Sequence, residues 1–242
     1  MTYKPILFNT PMVCAIMDGS KTQTRRLVQL PKNKDWELLD VHPNPDLPGR
    51  FWQVEINGTL TDVKKRFTLG IKAPCVAGDV LWVRETWNFG RWETEGDVIT
   101  PGLCHTFFEE CEPSGKSKEL FQNRYLYRAD AASFDEVPEP ERWRPSIHMP
   151  KEAARIFLRV QNVRPERLQD ITIQGLQEEG VLPSGFLSQY ATMTSDGFGK
   201  WVALWNSTTT KGKLAKYGWD ANPWVWVISF TRMEKPEGWP NV

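Results

Sequence analysis

Apolar and polar positions along this chain change in short stretches that predict strands more often than helices. "KPILF" (residues 4–8) is a compact apolar run of strand length. After it, Thr10 stands where a helix cap is expected, Pro11 at the first helical position, and Val13, Ile16 and Met17 at the spacing of one buried face. Gly19 is placed to end that helix in the left-handed region, so residues 21–26 read as a loop leaving it. "GDVLWVRETW" (78–87) sets Val80, Trp82 and Arg84 against Leu81, Val83 and Glu85. Its mostly apolar composition predicts a strand buried on both faces. "RYLYRAD" (124–130), "ARIFLRVQNVRPERL" (154–168, with Ile156, Leu158 and Val160 on one face) and "PWVWVISFTRM" (223–233) are further strands. "TIQGLQEEG" (172–180) is a short helix with Thr172 as its cap and Gly180 as its stop, and another helical piece lies around 200–206.

Between these elements the pattern breaks into polar segments rich in proline and glycine. "HPNPDLPG" (42–49) is dense in turn residues, and "FWQVEING" with "FTLGIKAP" predicts a hairpin nearby. "EVPEPERWRPSIHMP" (136–150) is extended and held by prolines. "WDANPWVW" (219–226) leads into the last strand, with Asp220 and Asn222 as turn hydrogen-bonders. No repeat or low-complexity stretch occurs. The expectation is a mixed α/β, mainly β fold: one domain over 1–242, built as a small β-barrel with two or three short helices. It carries insertions at about 31–75, 88–123 and 183–222.

The composition narrows the classes without choosing one. With 242 residues, 40% of them apolar and 25% charged, the chain is ordinary for a globular protein. The formal net charge is zero, so any grip on an anionic partner has to be local. No apolar run has the length of a membrane span, and a membrane partner is not expected. The opening "MTYKPILF" lacks the charged-then-apolar order of a secretory signal. The four cysteines form no C-x-x-C pair, so reduced thiols and a cytoplasmic location are expected. Cys104, His105 and Cys111 lack a fourth ligand at suitable spacing; no metal and no cofactor is assigned. The 12 tryptophans point to a Trp-rich core, with one or two available to stack on a base.

The densest chemistry is "KTQTRR" (21–26). Lys21, Thr22, Thr24, Arg25 and Arg26 could form a solvated turn whose hydroxyls satisfy local backbone, or a pocket wall with the arginines on phosphate. The arginines could equally pair with acids. Glu178 and Glu179 lie in the last turn of their helix, where the macrodipole disfavours anions by about a few tenths of a kcal/mol each. A cationic partner such as Lys21 would relieve this; otherwise both are solvated.

Taken together, "LFNTPM", "AIMDGSKTQTRR", "GDVLWVRETW", "RLQDIT…EEG" and the final V-W-V-I-x-F strand resemble the ASCH family, a β-barrel branch of the PUA-like superfamily. With "YRAD", "WRPSIHMP" and "DANPWVWVISF", the pattern is similar to ASCH proteins carried by bacteriophages and prophages. The resemblance covers the barrel elements and leaves the insertions outside. It implies binding of RNA, or of a modified nucleoside or nucleobase, in the host cytoplasm. Small bacterial members include an amidohydrolase that removes the acetyl group from N4-acetylcytidine. Its reacting lysine, threonine and glutamate match Lys21, Thr24 and Glu179 here, and Arg26 matches an arginine that follows.

That chemistry is coherent: a neutral Lys21, its pKa lowered by burial or by Arg25 and Arg26, could take the Thr24 proton, and Glu179 could relay it. Another branch is described as a ribonuclease, so fold alone does not fix the reaction. Further candidates are Arg84 and Glu85, read as a polar pair flooring the cleft, and Trp143, Arg144 and His148 as base or nucleotide contacts. Three functions stay open: N-acyl hydrolysis, non-catalytic reading of RNA or modified bases, and an accessory role in which the insertions bind a host protein.

Overall fold

The computed structural model describes residues 1–30, 36–46, 49–60, 63–96, 104–113, 124–133, 139–182 and 191–240. Among them the order is β1 (Tyr3–Leu7), α1 (Thr10–Met17), β2 (Gln23–Leu27), β3 (Glu37–Pro43), β4 (Phe51–Leu60), β5 (Val63–Lys72), β6 (Val80–Arg84), β7 (Trp87–Gly96), β8 (Cys104–Glu110) and β9 (Arg124–Tyr127). Then follow β10 (Phe157–Arg167), α2 (Ile173–Glu178), α3 (Ala191–Thr208), α4 (Leu214–Tyr217) and β11 (Trp224–Met233). The architecture is mixed α/β and mainly β. Its sheets run β1-β6-β10-β11-β2, β3-β4-β5 and β8-β7-β9. Each is open among the described residues, so the expected barrel closure is absent. Closure requires the outer strands to pair, and inward–outward alternation is the same in a strand of an open or a closed sheet, so the pattern could not decide it.

The chain folds as two compact units. One comprises Met1–Lys4, Asp18–Val80 and Leu158–Arg232; the other comprises Pro5–Met17, Leu81–Phe157 and Met233–Val242. In the first, β2 runs antiparallel to β11, with Gln23 opposite Ser229, Arg25 opposite Val227 and Leu27 opposite Val225. Leu168, Ile171, Leu176, Leu182, Trp201, Trp205 and Val225 form a core cluster around α2 and α3. The expected hairpin is present as β4 and β5, and Trp52 of β4 meets Trp226 edge to face at 5.6 Å. The helix expected around 200–206 is the longer α3. Parts of the three expected insertions, at 31–35, 47–48, 61–62, 97–103, 114–123 and 183–190, lie outside the described residues.

In the second unit, Trp87 and Phe89 of β7 pack against Tyr125 of β9. Trp239 packs on Trp82 and Phe157. Three local expectations are revised. The cap of α1 is Asn9, whose Oδ1 accepts from the Met12 N–H at 3.0 Å, rather than Thr10. The buried face of α1 is Val13, Ala15 and Ile16, while Met17 is 38% exposed. Residues 23–27 are a strand and not a loop, because pairing with β11 satisfies their backbone.

Candidate functional site

The geometry of the first unit follows from that strand. Successive side chains of β2 point to opposite faces. Gln23, Arg25 and Leu27 share one face with Val225, Val227 and Ser229 of β11. Thr24 and Arg26 share the other with Ile228 and Trp226. Lys21, just ahead of β2, forms an isolated antiparallel bridge with Glu179, and the Thr22 N–H donates to Glu178 O at 2.8 Å. The sequence-distant α2 is thereby tied to the start of β2. Thr172 caps α2 by accepting from the Gly175 N–H at 3.1 Å, and Glu179 closes its C-terminal end. Gly180 follows at φ 73°, a conformation that a residue with a side chain adopts only at a cost.

Four charges meet there. Lys21 Nζ donates to Glu179 Oε2 at 2.5 Å and to the Glu179 carbonyl at 3.0 Å. Arg25 Nη1 donates to Glu179 Oε1 at 3.0 Å, and Arg25 Nε to Glu166 Oε1 at 2.8 Å. The Lys21, Glu179 and Arg25 side chains are 0%, 1% and 2% exposed, so the network is dry. Burial pushes the Lys21 amine below its ordinary pKa and the Arg25 and Arg26 charges add to this, while Glu179 pulls the other way. Two cations on one carboxylate resolve the conflict between Glu179 and the negative end of its helix. Gly175 leaves room for the guanidinium: a Cβ there would lie 3.0 Å from Arg25 Nη2. Trp201 of α3 lies beneath Arg25, with 5.9 Å between guanidinium carbon and ring centre.

Thr24 is 1% exposed on the opposite face of β2 from Arg25 and makes no hydrogen bond to Lys21 or Glu179. Lys21 and Glu179 thus meet, and Thr24 stands apart from them. Arg25 is ion-paired. Arg26 is half-buried opposite Trp226, where burial weighs against its charge and Glu179 supports it. Thr22 is exposed. A cleft of about 290 Å³ opens on the Gln23 and Arg25 side. It is lined by β10 (Asn162, Arg164, Glu166), by Ser229, and by Asp170, Thr172, Gln174, Gly175 and Glu178 around α2.

In the second unit the expected Arg84–Glu85 pair does not form, because neighbours on an extended chain point apart. Arg84 gives Nε and Nη2 to the Met149 carbonyl at 3.1 and 2.9 Å. Buried Glu85 is gripped by Arg155, with Nε to Oε1 at 2.9 Å and Nη2 to Oε2 at 3.0 Å. Arg155 also holds Asp130 and lies 3.9 Å over the Tyr127 ring. Arg144 pairs with Glu112 and the Cys111 carbonyl and lies over Trp87. Trp143 donates to Glu139 at 3.2 Å, and His148 is exposed in a 3-10 turn. The side chains of Cys104 and His105 lie outside the described residues.

Sequence reasoning missed Glu166, Arg155 and Gln23. The available signal for Glu166 was the polar i, i+2, i+4 run Asn162, Arg164, Glu166, which a strand places on one face. Among the described residues no helix is long and apolar enough to cross a membrane. Comparison with protein-family models, with curated proteins and with solved structures finds no match to this chain.

Proposed function

We propose that this chain is an ASCH-type protein of the PUA-like superfamily that binds a nucleoside, or a single nucleobase of RNA, in the cleft beside Arg25. One observation carries the reading: a concave site lined by amides and hydroxyls (Gln23, Asn162, Gln174, Thr172, Ser229), with Arg25 anchored in place by Glu166 and Glu179. Such groups read the edges of a polar ring, and fixed side chains orient it. The ordered motifs that resemble the family supply the substrate class. Binding of cytidine, N4-acetylcytidine and a short single-stranded RNA, measured calorimetrically at low and moderate salt, tests it. Nucleosides are expected to bind with little salt dependence. If no nucleoside binds while RNA binds with a steep salt slope, the grip is on backbone phosphate and the proposal fails.

The Lys21–Glu179 pair favours a second reading, removal of an N-acyl group from a modified cytosine nucleoside. Burial lowers the pKa of the Lys21 amine, which eases release of its proton, and the carboxylate bonded to it offers a proton relay. Chromatographic detection of cytidine released from N4-acetylcytidine is the assay. Glu179→Gln and Lys21→Met are each expected to slow release at least about tenfold. An inactive wild type, or variants as fast as wild type, removes this reading and leaves binding standing.

A further inference from the structure

The cleft beside Arg25 has a chemical bias that its two arginines conceal. Arg25 is committed to Glu166 and Glu179, and Arg164 Nη2 is paired with Glu166 Oε2 at 2.9 Å. The lining holds two guanidiniums, Arg25 and Arg164, against three carboxylates, Glu166, Asp170 and Glu178, a formal sum of two minus three, or minus one. A phosphate entering there meets a net like charge and cations that already have partners, so nucleic-acid backbone is a poor occupant. One amide donor of the lining is engaged as well: Gln174 Nε2 is bonded to Glu178 Oε1 at 2.9 Å.

The lining also carries acceptor capacity that the fold leaves unused. The Oε1 of Gln23 is shielded from solvent and has no hydrogen-bond partner, although Gln23 lines the cleft. A buried acceptor without a partner is rare, because it forfeits hydration and gains nothing in exchange. The terminal amide torsion of a glutamine is soft, so a small rotation presents this oxygen to a ligand donor.

We infer that Gln23 is the specificity-determining residue of the cleft, and that its ligand is a phosphate-free ring bearing an N–H donor, such as the exocyclic amino group of cytosine or adenine. This rests on the nucleoside reading above and narrows it.

The test is calorimetric titration of wild type and Gln23→Met. The probes are cytidine and adenosine, their N-monomethyl and N,N-dimethyl forms, and the 5′-monophosphates. Wild type is expected to bind the parent and monomethyl nucleosides alike, the dimethyl forms about tenfold more weakly, and the monophosphates no more tightly than the nucleosides. Gln23→Met is expected to lose about tenfold for the parent nucleoside and to stop discriminating against the dimethyl form. Its thermal midpoint should not fall, because the lost oxygen has no partner in the folded protein. Discrimination surviving in Gln23→Met, monophosphates binding more tightly, or a lowered midpoint overturns this inference while leaving nucleoside binding intact. Failure of every nucleoside to bind overturns both.

Discussion

Replacing Glu179 by alanine is the sharpest perturbation of the buried network. The substitution removes the carboxylate that accepts from Lys21 Nζ at 2.5 Å and from Arg25 Nη1 at 3.0 Å. Arg25 keeps Glu166; of its two contacts to Glu179, Lys21 keeps only the backbone carbonyl. A buried cation stripped of its counter-ion costs about 3–5 kcal/mol. A second route sets a similar ceiling. Lys21 can escape by releasing its proton, and at pH 7 that costs about 4.6 kcal/mol for a lysine of ordinary pKa near 10.4, less once burial has lowered the pKa.

The pH dependence has a definite sign. With its folded pKa depressed, Lys21 binds fewer protons folded than unfolded between that lowered value and about 10.4, so its contribution to stability rises with pH there. Losing Glu179 deepens the depression and widens the window, and the deficit of Glu179→Ala should shrink between pH 7 and 10. Adding Lys21→Met to Glu179→Ala removes the buried ammonium and should restore about 1–3 kcal/mol. Urea unfolding followed by circular dichroism measures all four members of the cycle. A deficit below about 1 kcal/mol for Glu179→Ala, or a Lys21→Met that deepens the loss in that background, would refute the account of a dry, mutually dependent ion pair.

Two further outcomes are expected. Asp79 is solvent-shielded; burial pushes its carboxyl up, but bonds from Lys4 and Thr2 hold it down at about 2. Its stabilisation, about 2–3 kcal/mol, is present above about pH 4 and lost as pH falls toward 2. Urea titrations should therefore show the gap between wild type and Asp79→Asn closing over that interval. Arg155→Met strands Glu85, whose carboxyl burial already pushes up against the pull of Arg155, and should cost about 3–5 kcal/mol at pH 7. Because a raised carboxyl pKa loses stability as pH rises through it, the same variant should be closer to wild type at pH 5; an equal deficit at both pH values would exclude a stranded carboxylate.

The strands and short helices were legible in the sequence because each is a local matter of apolar spacing and punctuation. The runs at 4–8, 78–87, 154–168 and 223–233 became β1, β6, β10 and β11, and Thr172 and Gly180 bracketed α2 as expected. The closeness of Lys21 and Glu179 could be anticipated from a helix end carrying two acids, which calls for a cation, and from the motifs shared with the family. The rest was decided by tertiary structure. Whether residues 21–26 form a loop or a strand depends on β11, which lies far along the chain and supplies the backbone partners. Once β2 exists, the two-residue period sends Arg25 toward Glu166 and Glu179 and Thr24 to the opposite face. The same period separates Arg84 from Glu85 and leaves Glu85 to Arg155, a partner that no local pattern marks. Sequence determined which segments could pair, because propensity and periodicity act over a few residues. Only the folded chain decided which charges meet, because that depends on register and on which face of each strand is covered.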